Sequence, residues 1–148
     1  MADRAELHLV TQHPAECFAH NVFMHQDISA YSPQWHEQFR NADVFVMPSY
    51  AEAFGLVFQE AAGYGLALIG SRVGTIPEMI SDGESGFLIE PGDREALAEK
   101  LRVLADDRGD LLRMRRRSRE IALEKFDAAR NFRALADLFH KVAGVSDG

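Results

Sequence analysis

Short apolar runs alternate along this chain with longer stretches in which apolar residues recur every three or four positions. These are the periods of buried strands and of packed helices. Runs at 7–10, 21–24, 44–47, 67–71 and 87–90 read as strands. Residues 44–47 (Val, Phe, Val, Met) are apolar throughout, so this run is expected to be the central strand, buried on both faces. Pro48 stops it, having no N–H to give a ladder. Helical spacing first appears at Trp35, Phe39 and Ala42, behind Ser32 as N-cap and Pro33 in the first turn. A second helix starts after Phe54 and Gly55, carries little side chain at Ala61, Ala62 and Gly63, and is expected to end at Gly65. A short helix runs through Met79 and Ile80, and a longer one follows a cap at Asp93 with Leu97, Leu101 and Leu104 on one face. The last two cover 111–126 and the stripe Phe132, Leu135, Ala136, Phe139, Val142 and Ala143, which must pack on something.

Strands alternating with helices predict an α/β fold: a doubly wound parallel sheet flanked by helices. Residues 1–148 are expected to form one Rossmann-like domain, with C-terminal helices over about 110–144. A chain of 148 residues, 47% hydrophobic and 26% charged, is long and apolar enough for one real core. The net charge of −7 argues against nucleic acid, which asks for a basic face. Arg113, Arg115, Arg116, Arg117 and Arg119 form the one basic run. Glu120 and Glu124 dilute it and no strong apolar face accompanies it, so a solvated face is expected rather than a membrane-docking one. Cys17 is the single cysteine, which excludes an internal disulfide and suggests a reducing compartment. His13 and Cys17 lack a second pair at ligand spacing, so no metal site is expected. With no apolar run of transmembrane length and no signal peptide at the N-terminus, a cytoplasmic location is expected.

The candidate chemistry lies in residues 43–60. A strand, a polar loop and a helix N-terminus follow in order, and free backbone N–H groups at such a place suit a phosphate. Glu52 stands just before the helix and Glu60 inside it. Carboxylates cannot bind phosphate but can each accept two hydrogen bonds from a diol. Phosphate donors beside two diol acceptors suggest a nucleotide sugar. His25 and Gln26, at the C-terminal end of the second strand, are candidates for the wall that meets the base, because ligands of open α/β sheets bind outside the carboxyl ends of strands.

In the context Pro48-Ser49, Glu52-Ala53-Phe54-Gly55-Leu56 and Glu60-Ala61, the two glutamates resemble the E-x7-E motif of retaining glycosyltransferases of GT-B fold. The group is the large glycogen-synthase-like and mannosyltransferase-like one, and the resemblance runs from Asp43 to Leu101. It implies that Glu52 approaches the donor-sugar hydroxyls and is the catalytic position, and that Glu60 holds the ribose. The backbone of Ala53, Phe54, Gly55 and Leu56 would line the donor, with the amides of Gly55 and Leu56 facing the diphosphate. It implies no metal and no cofactor beyond the nucleotide-sugar substrate. Where the family usually has Gly-Gly-x-Pro-Glu this chain has Gly74-Thr75-Ile76-Pro77-Glu78, so a close backbone contact at Thr75 is not expected. Leu7 to Val10 is followed by Thr-Gln-His-Pro instead of a glycine-rich turn, and Phe126 is followed by Asp127 rather than a second aromatic.

By the same resemblance this is the donor-binding half of such an enzyme, truncated at its N-terminus. The acceptor-binding domain, and the Arg and Lys that neutralise the leaving diphosphate, would lie outside the chain, leaving it nearly inactive alone. A phosphorylase-like or epimerase-like relative would need further phosphate or acid–base residues that the sequence does not show. The alternative from another class is a non-catalytic module that binds a nucleotide or a partner on the same fold.

Overall fold

The structure is a computed structural model that describes residues 5–13 and 19–144; Cys17 lies outside them. Strands β1 (Leu7–Val10) and β2 (Val22–His25) pair in parallel, with Leu7 opposite Val22. Strands β3 (Val44–Met47), β4 (Ala67–Ser71) and β5 (Gly86–Ile89) form a separate parallel sheet in the order β3-β4-β5. The register sets Val44 against Ala67 and Leu68 against Gly86. Helix α1 (Pro33–Asn41) connects the two sheets in sequence, and α2 (Leu56–Gly63) and the single turn α3 (Ile76–Met79) are the crossovers of the second. Helices α4 (Arg94–Asp106), α5 (Arg108–Lys125) and α6 (Ala128–Val142) follow β5.

The central strand is β4, and this corrects the expectation for residues 44–47. Every residue of β4 is buried, whereas β3 is half-buried along its length because it forms the edge of its sheet. An apolar run has the same appearance in either position, and pairing decides between them. Side chains of β4 alternate between two clusters, as a strand covered on both faces requires. Leu68 joins Phe39, Phe58, Ala61, Ile76 and Met79 from α1, α2 and α3, and Leu66 from the turn before β4. Ala67 and Ile69 join Ile89, Leu104, Leu111 and Met114 from β5, α4 and α5.

The helix ends follow their sequence signals. Ser32 Oγ accepts the Trp35 N–H at 3.1 Å, and Asp93 Oδ1 accepts that of Ala96 at 2.8 Å. The Gly65 N–H returns to the Ala62 carbonyl beyond the end of α2.

Helix α5 corrects the expectation of no strong apolar face, because Leu111, Met114, Ser118, Ile121 and Ala122 are buried, while Arg113, Arg116 and Arg119 are exposed on its solvated side. Two of its arginines reach the end of α2. Arg115 bonds the Gly65 carbonyl and the Asp43 carboxylate, and Arg119 bonds the Gly63 carbonyl. Two cations thus cap the carbonyl end of α2, where the helix dipole is negative. Helix α6 departs in the other direction, since no residue on it is buried and Phe132, Leu135, Phe139 and Val142 are exposed. Its stripe packs on nothing among the described residues.

Candidate functional site at the carboxyl edge of β3 and β4

Past Pro48 the chain leaves the carboxyl edge of its sheet and turns back on itself. Glu52 Oε1 accepts the N–H groups of Ala53 at 2.9 Å, Phe54 at 3.3 Å and Gly55 at 3.1 Å. Three consecutive amides converging on one oxygen make an anion-holding nest. Gly55, at φ +58°, turns the third amide inward and starts α2 as its N-cap. The loop after β4 supports the turn from beneath. Gly74 stands at φ +52°, and a Cβ there would lie 1.8 Å from the Glu52 carbonyl oxygen, so only glycine fits. Thr75 Oγ1 donates to the Ala53 carbonyl at 3.3 Å. The close backbone approach therefore belongs to Gly74, and Thr75 adds a hydrogen bond in the place of a second glycine.

Both glutamates are half-buried, Glu52 in the turn and Glu60 on α2. The Glu52 carboxylate is folded onto its own loop, while Glu60 meets Tyr31 from the loop after β2. The Tyr31 phenol is raised above its ordinary pKa, first by a hydrogen bond to Glu60, then by that carboxylate's charge, and last by burial. Tyr31 is 68% exposed and has φ +64°, a left-handed conformation that costs an aromatic residue energy. Asp27, in the same loop, is left-handed as well. Sequence reading missed Tyr31. An exposed aromatic just past a strand's carboxyl end was the available signal, but its left-handed backbone is set by the surrounding fold.

His25 and Gln26 stand at the carboxyl end of β2, where the sequence placed them. His25 is the last residue of β2, not part of the loop, and its Nε2 lies 2.9 Å from His8 Nδ1 with the rings stacked. One imidazole must donate there and the other accept, so this nitrogen is engaged across the β1–β2 pair. Gln26 follows it, exposed. On the α3 side of the turn an open cleft of about 570 Å³ is lined by Phe54, Leu56, Thr75, Glu78 and Lys125, and includes neither Glu52 nor Glu60. Among the described residues, no three His, Cys, Asp or Glu side chains gather into a metal-holding group. No helix among them is long and apolar enough to cross a membrane.

This architecture is the Rossmann-like half of a GT-B glycosyltransferase fold. It superposes on sucrose-phosphate synthase from Thermosynechococcus elongatus with a TM-score of 0.74 and 26% identity, over 85% of this chain and 31% of that one. Residues 11–122 match the family Glycosyl transferases group 1, and the chain belongs to that family. Among its relatives is a D-inositol 3-phosphate glycosyltransferase of Arthrobacter, 38% identical over 120 residues, or 73% of this chain. The sulfoquinovosyl transferase SQD2 of Arabidopsis thaliana is 45% identical over 75 residues, or 49% of this chain. The chain spans 28% and 15% of the length of these two relatives.

Proposed function

We propose that this chain binds the donor of a glycosyl transfer, a nucleoside-diphosphate hexose, at the carboxyl edge of β3 and β4. The observation that carries the reading is the convergence of three backbone amides, at 2.9 to 3.3 Å, on a single negatively charged oxygen beside α2. A diphosphate oxygen is an acceptor of the same kind. In this reading the amides of residues 53–56 take the diphosphate, and Glu60 accepts from the ribose hydroxyls in competition with Tyr31. Glu52 turns to the hydroxyls of the hexose. Departure of the nucleoside diphosphate is favoured by donors already in place where negative charge grows. The acceptor, held by a portion of the enzyme that this chain does not supply, attacks the anomeric carbon from the face the diphosphate leaves, so that configuration is retained. Neither a metal nor an added cofactor has a part in it. Alone, the chain is expected to transfer sugar barely or not at all.

Amide NMR titration with UDP, GDP and ADP tests this. One nucleotide should shift the resonances of Gly55, Leu56 and Glu60, and Glu60→Ala should weaken that response without unfolding the chain, since Glu60 is not a core residue. Shifts confined to other surfaces, or an unfolded variant with affinity intact, would remove the assignment.

A further inference from the structure

The nest proposed for the diphosphate is filled here by the chain's own carboxylate. Glu52 Oε1 takes the N–H groups of Ala53, Phe54 and Gly55. A bound diphosphate needs those same donors, and its charge repels a carboxylate left beside it. Glu52 must therefore swing out when a diphosphate enters, giving up three charge-assisted hydrogen bonds. What it gains in exchange depends on the ligand. A nucleoside-diphosphate sugar brings hydroxyls that donate to the displaced carboxylate, whereas a bare nucleoside diphosphate brings only further negative charge.

We propose that Glu52 makes this site select the nucleoside-diphosphate sugar over the nucleoside diphosphate left after transfer, by returning to the amides of residues 53–55 whenever no sugar holds it away. The proposal rests on the donor-site reading above and adds a direction to it: the same side chain that meets the donor sugar helps to expel the product. The turn is built for such an exchange. Its backbone is fixed from below by Gly74 against the Glu52 carbonyl and by the Thr75 hydroxyl on Ala53, so the amides stay aimed while the side chain moves. Pre-aimed donors need no reorganisation when one anion replaces another.

The test compares the wild-type chain with Glu52→Ala and with the isosteric Glu52→Gln. Calorimetry is run on three pairs: UDP and UDP-glucose, GDP and GDP-mannose, ADP and ADP-glucose. For the pair that binds, Glu52→Ala should tighten the nucleoside diphosphate by about tenfold, the scale of one charged hydrogen bond. The nucleotide sugar should gain nothing or weaken, so that the wild-type preference for it collapses, with Glu52→Gln in between. Without nucleotide, both variants should move the amide resonances of Ala53, Phe54 and Gly55. Unmoved amides, an unchanged ratio of the two affinities, or equal tightening of both ligands overturns the proposal while leaving the donor site standing. Failure of all six compounds to bind any of the three proteins removes both.

Discussion

Tyr31 and Glu60 form a pair whose titration is open to measurement. The phenol is held protonated by the carboxylate that accepts from it, so its pKa in the folded chain is raised. The sign follows from linkage. Protons bind the folded chain more tightly, so the contact contributes below the unfolded tyrosine value of about 10 and is lost as pH rises through the folded one. Followed by the ring carbon resonances, Tyr31 should titrate above that value in the wild-type chain and fall back towards it in Glu60→Gln. Identical titration in the two proteins would mean that the phenol does not meet Glu60. Neither residue announced the other in the sequence, where they lie on opposite sides of a helix and a strand. Glu52 and Glu60 were legible as a pair because both lie in one contiguous segment.

Helices α5 and α6 reverse what their patterns suggested. The apolar positions of α5 include Ser118 and Ala122, which weaken its stripe, yet Met114 is 1% exposed and Leu111 is 4% exposed beneath it. Small residues there let the helix lie close to β4 and α2, and the arginines on its flank bond carbonyls at the end of α2. Helix α6 has the stronger stripe but, among the described residues, no surface beneath it. Urea unfolding separates the two cases. Met114→Ala should cost about 2–5 kcal/mol, as deletion of a buried side chain does. Phe139→Ser should stay within about 0.5 kcal/mol, because Phe139 is 64% exposed. A large loss from Phe139→Ser would show that α6 is docked in solution.

Stability should be graded across the whole molecule. The sheet β3-β4-β5 is covered on both faces, while β1 and β2 leave Leu7, Val10, Phe23 and Met24 exposed and, among the described residues, pair only with each other. Native-state hydrogen exchange should therefore find β4 amides opening only with global unfolding, and those of β1, β2 and α6 exchanging much sooner. Equal protection of β2 and β4 would argue that the two sheets behave as one.

Sequence alone determined the alternation of strands and helices, the parallel α/β class, the helix caps at Ser32 and Asp93, and the turn and helix that carry Glu52 and Glu60. Each of these depends on neighbours within a few residues: apolar period, a capping hydroxyl or carboxylate, a proline, a glycine. Tertiary structure decided which apolar run is central, whether a stripe is covered, that Gly74 makes the close approach to the turn while Thr75 adds a hydrogen bond, and that Tyr31 reaches Glu60. It also placed the Glu52 carboxylate in the amides that the sequence offered to a phosphate. These are pairings between segments distant along the chain, and their outcome depends on which surfaces meet when the sheet assembles.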